Sequence, residues 1–128
     1  MVYKLDLLRS PGVTNRDDLN ASFVYRFHLS GNFVLEGSEE FVLLMNTLIG
    51  GGMKKVVFDL AELKYIDSTG IGAFIGVAKQ VRAKGGDLVF FEVSPPLVEI
   101  FQLVKLNDLI PFLRAEKQIL DHFFPLKG

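Results

Sequence analysis

The sequence predicts an α/β fold with a mixed β-sheet of about five strands and four α-helices packed on it. Segments typical of strands alternate with segments typical of helices, which favours βαβ units with right-handed crossovers. The strand segments at 54–60 and 87–93 are almost continuously apolar, as expected for buried strands of a parallel sheet. The length of 128 residues suits a single domain, residues 1–128, with one hydrophobic core.

The N-terminal half contains two predicted strands and one helix. Residues 2–8 have a strand pattern, and residues 9–21 are rich in Pro, Gly, Asn and Asp, which is typical of a loop. Residues 22–30 alternate strictly and predict a strand that ends at a glycine turn. A helix follows, with Ser38 as its expected cap and three glycines at its end.

The C-terminal half continues the alternation of strands and helices. Ser94 is an expected cap with Pro95 at the first helical position, which favours a helix start at this point. The seven residues between the strand at 54–60 and the helix that begins at Ser68 are expected to form a connection. The predicted strands are 54–60, 87–93 and a short edge strand at 108–113, and the predicted helices are 68–86, 95–104 and 115–124.

Composition argues against several classes of partner. Fourteen basic and fifteen acidic side chains give a formal net charge of -1, so no global field attracts nucleic acid or an anionic membrane. No apolar stretch approaches the roughly 20 residues that span a bilayer, and the first residues lack the apolar core of a signal peptide. The absence of cysteine fits a reducing compartment. We therefore expect a cytoplasmic protein without a direct nucleic-acid or membrane partner.

Motifs for catalysis or cofactor binding are weak. The glycines of GIGAFIG do not have dinucleotide-binding spacing, and we interpret them as positions where a helix lies close to a sheet. His28 and His122 have no triad context and no metal-ligand spacing. Asp59 and Glu62 could form an acid pair, but we interpret them as solvated carboxylates. We expect no enzyme activity, no metal and no cofactor.

The segment Asp67-Ser68-Thr69-Gly70 precedes the helix at 68–86 and concentrates polar groups at its entrance. With Asp67 as the cap, its carboxylate accepts the amide hydrogen of Thr69 or Gly70, and an apolar staple forms around the entrance. Ser68 then occupies the first helical position with a hydroxyl free to face solvent. In the alternative interpretation, Ser68 itself caps the helix or only shapes the turn.

Most of the chain resembles the STAS family, the domain shared by anti-sigma factor antagonists and the cytoplasmic tails of sulfate transporters. This resemblance implies a mixed sheet whose first strand runs antiparallel to a parallel core. HLSGNF resembles a strand of that family, residues 54–112 resemble its signature half, and the last helix also fits. The resemblance implies that Ser68 is a phosphorylated serine, framed by Asp67 and Gly70, with Thr69 beside it. One departure is Gly31-Asn32-Phe33-Val34, where family members commonly carry Gly-Glu-Leu-Asp.

The function that the resemblance implies is partner switching by an anti-sigma factor antagonist. The unphosphorylated protein would bind an anti-sigma factor serine kinase and release the sigma factor. That kinase would phosphorylate Ser68 with ATP and magnesium, and a cognate phosphatase would reverse the modification. The expected partner-binding residues are Lys64, Tyr65, Asp67, Thr69 and Gly70, and no small-molecule substrate is expected.

Two alternatives remain open from the sequence. One is an unphosphorylated STAS subunit of a transporter or signalling scaffold, in which Ser68 only shapes the turn. The other is a sensor that binds a small ligand in apolar space beneath the helices, which the abundance of phenylalanine allows.

Overall fold

A computed structural model describes residues 1–10 and 23–125. The described residues form one five-stranded sheet and five helices. The strands are β1 (Val2–Arg9), β2 (Phe23–Phe33), β3 (Lys55–Ile66), β4 (Asp87–Phe91) and β5 (Phe112–Leu113). The helices are α1 (Leu35–Gly50), α2 (Ser68–Ala83), α3 (Pro95–Leu103), α4 (Leu106–Leu109) and α5 (Glu116–Phe123). The predicted loop at 9–21 lies outside the described residues, except for its first two positions.

The sheet is mixed, with strand order β1-β2-β3-β4-β5. β1 pairs antiparallel with β2, and the pairs β2–β3, β3–β4 and β4–β5 are parallel. Each parallel pair needs a crossover that returns the chain to the same end of the sheet, and helices supply it between β2, β3, β4 and β5. The predicted fold class is therefore confirmed, including the antiparallel first strand.

Side chains on the two faces of the sheet build two hydrophobic clusters, because successive strand residues point in opposite directions. Phe58 of β3 belongs to the larger cluster, together with buried residues of α1, α2, α3 and α4. Its neighbour Val57 belongs to the smaller cluster, in which Ile119 of α5 covers the opposite face. Helices therefore cover both faces of the sheet.

Phenylalanine rings connect the strands and helices of the larger cluster. The ring of Phe74 in α2 lies 5.0 Å from that of Phe33, 5.3 Å from that of Phe58 and 5.0 Å from that of Phe90, measured between centroids. These distances are typical of favourable aromatic pairs, which stabilise a core beyond the burial of apolar area. The abundance of phenylalanine thus has a packing explanation.

β3 is longer than predicted, and the expected seven-residue connection before the second helix is wrong. β3 runs to Ile66, and β2 also continues beyond Gly31, whose φ is 85°. The pairing of β2 with β3 has register shifts between His28 and Ser30 and between Gly31 and Asn32. Because of these irregularities, the buried residues of β3 do not follow the two-residue alternation of a regular strand. Leu60, Leu63 and Ile66 are buried at a spacing of three.

The helices differ from the prediction in several places. Ser94 occupies the N-cap position of α3, but its side chain makes no cap hydrogen bond, and α2 ends at Ala83 instead of residue 86. Ser38 is not a cap: its hydroxyl donates to the carbonyl of Leu35 at 2.8 Å, and α1 begins at Leu35 with a non-helical interruption at Glu36 and Gly37. The short helix α4 is additional to the four predicted helices, and it occupies the start of the segment that was predicted as an edge strand. Only Phe112 and Leu113 of that segment pair in the sheet.

No helix in the described part of the chain combines the length and apolar character that a membrane span requires.

Candidate functional site

Asp67 is the single residue between β3 and α2, and it caps the helix as predicted. Its backbone is extended, with φ at -102°, and its Oδ1 accepts a hydrogen bond from the amide of Gly70 at 2.9 Å. The carbonyl of Asp67 accepts the amide of Ile71 at 3.0 Å, which is the first hydrogen bond of the helix. A carboxylate in this position satisfies an orphan amide and lies at the positive end of the helix dipole.

The same aspartate also holds the junction between β2 and α1. Its Oδ2 accepts the amide of Leu35 at 3.2 Å, and its own amide donates to the carbonyl of Phe33 at 3.1 Å. Two segments that are separated by about thirty residues in the chain are thus tied to one side chain. Phe33 and Leu35 were missed by the sequence analysis because no local pattern marks a contact between distant segments.

Ser68 occupies the first position of α2 and is exposed. Its hydroxyl has no hydrogen-bond partner among the described residues. Because Asp67 supplies the cap, the alternative in which Ser68 caps the helix is wrong. The exposed hydroxyl can act as a nucleophile toward an incoming phosphoryl donor, provided that a partner supplies the base that removes its proton.

Gly70 is buried against the end of β2 instead of facing solvent. A Cβ at this position would lie 2.6 Å from the carbonyl oxygen of Phe33 and 2.7 Å from Cγ1 of Ile66. The glycine therefore lets α2 approach the sheet closely. Gly72 and Gly76 are different, because both are exposed and a Cβ on either would meet nothing within 4 Å. The predicted role of the GIGAFIG glycines in close packing does not apply to these two residues.

The other predicted partner-binding residues lie around the helix entrance. Lys64 and Tyr65 are exposed residues of β3, and 54% of the surface of Tyr65 is accessible. Thr69 is half-buried and lines a surface groove of about 390 Å³ between α1 and α2. The groove also includes Val42, Leu43, Asn46 and Ala73. The partly apolar groove between the two helices thus includes Thr69, which directly follows the exposed Ser68 in the chain.

The two histidines are each engaged by a carboxylate on the sheet. Nδ1 of His28 lies 2.8 Å from Oδ2 of Asp59, and Nε2 of His122 lies 2.7 Å from Oδ2 of Asp87. Asp59 is not the solvated carboxylate that we expected, because only 13% of its side chain is exposed. Both Asp59 and Glu62 lie within β3 instead of at a strand end and in a loop.

Comparison with known proteins adds to these observations. The STAS domain family model matches residues 17–119. The chain is 38% identical over 61 residues to the anti-sigma-B factor antagonist of Listeria monocytogenes, a match that covers 48% of this chain and 54% of that protein. The chain spans about half the length of the curated relatives it matches.

Solved structures share the fold across nearly the whole chain. The anti-sigma factor antagonist SpoIIAA in its unphosphorylated form has a TM-score of 0.68 at 17% identity, and the match covers 98% of this chain and 100% of that chain. The phosphorylated form of SpoIIAA, a Bacillus cell fate determinant, has a TM-score of 0.64 at 20% identity, with coverage of 93% and 98%. Since the family model spans most of the chain and the sheet topology is shared with these structures, the chain belongs to the STAS domain family.

Proposed function

We propose that this protein is an anti-sigma factor antagonist that acts by partner switching, with Ser68 as its phosphorylation site. The observation that carries the proposal is the exposed Ser68 hydroxyl at the entrance of α2, without a partner among the described residues and beside a cap that is already formed. The name of the similar Listeria protein and the existence of a phosphorylated SpoIIAA support it.

In the proposed cycle, the unphosphorylated protein binds an anti-sigma factor serine kinase and thereby releases the sigma factor. Oγ of Ser68 then attacks the γ-phosphorus of the kinase-bound ATP, the bond to ADP breaks, and the serine proton passes to a base of the kinase. The kinase binds both the ATP and the magnesium ion, and this ion neutralises the charge that develops during the transfer. A cognate phosphatase hydrolyses the phosphoserine and restores the binding form.

The local electrostatics explain how a phosphate would end binding without unfolding the protein. The modification adds a charge of about -1.5 to -2 at the start of α2. Both oxygens of Asp67 already accept amide hydrogens, so this neighbouring carboxylate is held in place beside the new phosphate. In the free protein, water and the helix dipole offset the repulsion. At a closed interface the water is removed, and an unpaired phosphate costs several kcal/mol.

The proposed contact surface surrounds Ser68. Lys64 and Tyr65 are exposed residues near the end of β3, which precedes Ser68 in the chain, and Thr69 lines the groove between α1 and α2. Asp67 and Gly70 contribute indirectly, because they position the first turn of the helix instead of presenting a free side chain. Exposed Leu35 and Leu43 add apolar area that a partner could cover.

The test is to incubate the protein with the serine kinases of its own cell and ATP and to measure the intact mass. We expect one added phosphate on the parent protein and none on Ser68→Ala. Ser94→Ala is the matched control, because Ser94 is also a helix-entrance serine and its side chain makes no cap hydrogen bond. This control should accept the phosphate as the parent does.

Binding is then measured by calorimetric titration with the purified kinase and nucleotide. Ser68→Ala should bind, whereas Ser68→Glu should bind at least tenfold more weakly. A Ser68→Ala protein that still gains a phosphate, or a Ser68→Glu protein that binds as tightly as the parent, would contradict the proposal. A stable copurifying transporter or scaffold without any modification would instead support an unphosphorylated STAS subunit.

A further inference from the structure

The outer edge of β1 is the longest open strand edge in the described part of the chain. β1 is at one end of the strand order, and its pairing with β2 is continuous from Val2 to Arg9 without a register shift. The opposite edge strand, β5, is only two residues long. Proteins commonly shorten, bulge or charge their edge strands, because an open row of amides and carbonyls can pair with another chain.

β1 presents apolar side chains as well as an open edge. Tyr3, Leu5 and Leu7 share the face that carries the larger hydrophobic cluster, because they lie opposite Leu29, Phe27 and Tyr25 of β2. Leu5 and Leu7 remain 49% and 47% exposed, so the helices do not cover this part of the sheet. The other face of β1 carries Val2, Lys4, Asp6 and Leu8.

Lys4 and Asp6, two of the three charged residues of β1, each keep a polar atom of the charged group without a partner among the described residues. The ammonium group of Lys4 has no ion-pair partner among the described residues. Oδ2 of Asp6 accepts two hydrogen bonds from Arg26, at 2.6 and 3.2 Å, and lies 3.5 Å from Nε2 of His28. Its Oδ1 accepts no hydrogen bond within the described part of the chain, and its side chain is 43% exposed.

We propose that two copies of this protein pair through their β1 strands, antiparallel and with Leu5 opposite Leu5, to form a ten-stranded sheet. A two-fold axis perpendicular to the sheet relates the copies. Odd-numbered residues of one copy therefore lie opposite odd-numbered residues of the other on the same face, and even-numbered residues lie opposite even-numbered ones. In this register Lys4 lies opposite Asp6 of the second copy, and Tyr3 lies opposite Leu7. Val2 likewise lies opposite Leu8, so the pairs formed by residues 2–8 are either apolar or oppositely charged.

The charges select this register over its neighbours. A register centred on Lys4 would place two ammonium groups directly opposite each other, and one centred on Asp6 would do the same with two carboxylates. Like charges in directly opposite positions destabilise a strand pair, whereas opposite charges and apolar pairs stabilise it. The proposal is independent of the Ser68 switch, because no residue of β1 belongs to the proposed phosphorylation site.

Cysteine cross-linking tests the register, since the chain contains no cysteine of its own. In Leu5→Cys the two sulfur-bearing residues are direct cross-strand neighbours, with Cα atoms about 4.5 to 5.5 Å apart, which suits a disulfide. In Leu7→Cys they are offset by four residues, or about 13 Å along the strands. Leu7 is the matched control, because it has the same residue type, face and nearly the same exposure as Leu5.

Under mild oxidation, Leu5→Cys should form a disulfide-linked dimer, whereas Leu7→Cys should form little or no disulfide between the two copies. An equal mixture of Tyr3→Cys and Leu7→Cys should cross-link between the two variants. Equal cross-linking of Leu5→Cys and Leu7→Cys, or none in any of these proteins, would overturn the proposal.

Sedimentation equilibrium over a concentration series tests the dimer without oxidation. The parent should approach twice its monomer mass of 14.3 kDa. In the proposed register, Lys4→Glu places a carboxylate opposite Asp6 of the second copy, and the symmetry repeats this repulsion once more. We therefore expect the dimer dissociation constant to rise at least tenfold. Lys79→Glu makes the same charge change on an exposed position of α2 and should leave dimerisation unchanged. A parent that stays monomeric throughout, or a Lys4→Glu protein that dimerises like the parent, would show that this edge does not pair with itself.

Discussion

Asp67 has more than one structural role, although a sequence pattern reveals only its cap. We expect Asp67→Ala to lower the free energy of unfolding by about 0.5 to 2 kcal/mol, because the amides of Gly70 and Leu35 both lose their acceptor. Asp67→Asn retains one acceptor oxygen and should lose less. Urea unfolding followed by circular dichroism measures the difference. If the alanine variant is as stable as the parent, the hydrogen bonds of Asp67 do not stabilise the fold.

A substitution at Gly70 tests whether this glycine is needed for the packing of α2 on the sheet. Gly70→Ala should destabilise the protein by about 1 to 3 kcal/mol, because the added Cβ meets the backbone of Phe33 and the side chain of Ile66. This expectation agrees with the interpretation from sequence that the helix lies close to the sheet at Gly70.

The control for Gly70→Ala is Gly72→Ala in the same helix. This substitution adds a Cβ in open space, so it should stabilise the protein by about 0.4 to 1 kcal/mol through a lower entropy of the unfolded chain. Thermal unfolding of both variants is sufficient. Equal effects at the two glycines would contradict the assigned packing role of Gly70.

At the scale of secondary-structure elements, Asp87 joins the start of β4 to α2 and α5. Its Oδ1 lies 2.8 Å from Nε of Arg82 and accepts the amide of Leu88 at 2.8 Å. Burial raises the pKa of this carboxyl, but hydrogen bonds from Arg82 and His122 outweigh burial and hold the pKa below its ordinary value of 3.8. The ionised form therefore stabilises the folded state.

The stabilisation by Asp87 depends on pH in a direction that follows from the lowered pKa. It is fully present above 3.8 and is lost as the pH falls through the lower pKa of the folded state. Asp87→Asn should be less stable than the parent at pH 7, and the difference should shrink in acid. Urea unfolding at neutral pH and at several values below about pH 4 measures both effects. Parallel pH curves for the two proteins would argue against this role.

Element boundaries were predicted well where the pattern is local and poorly where strands pair irregularly. The helix that begins at Ser68 was placed correctly because its cap, first turn and apolar face lie within a few residues of one another. The second half of β3 was missed because register shifts in its pairing with β2 place its buried residues at a spacing of three. A two-residue alternation cannot identify such a strand.

For the whole molecule, we expect the charge at the switch position to change binding much more than stability. Ser68→Glu should change the free energy of unfolding by less than about 1 kcal/mol, because the favourable helix dipole and the repulsion from Asp67 are of similar size in solvent. The large core around Phe74 does not include the Ser68 side chain. Urea unfolding of the parent and of Ser68→Glu checks this, and a loss well above that figure would mean that phosphorylation acts by unfolding.

The candidate site was predictable in part. Asp67 as the cap and Ser68 at the first helical position follow from the order of side chains in a short segment. Lys64, Tyr65 and Thr69 are accessible to a partner to different degrees, whereas Gly70 is buried, in agreement with the close helix packing that the GIGAFIG pattern indicates. The roles of Ser68 and of the surrounding surface in partner binding remain predictions.

The sequence by itself determined the alternation of strands and helices and the capped entrance at Asp67. These features depend on periodicity and on hydrogen bonds between residues a few positions apart. Only the tertiary structure decided that Asp67 also binds Leu35, that Gly70 packs on Phe33 and that β1 is an apolar edge strand without a second neighbour among the described strands. The physical reason is that such contacts join segments that are distant in the chain, and their partners are selected by how the helices and strands pack.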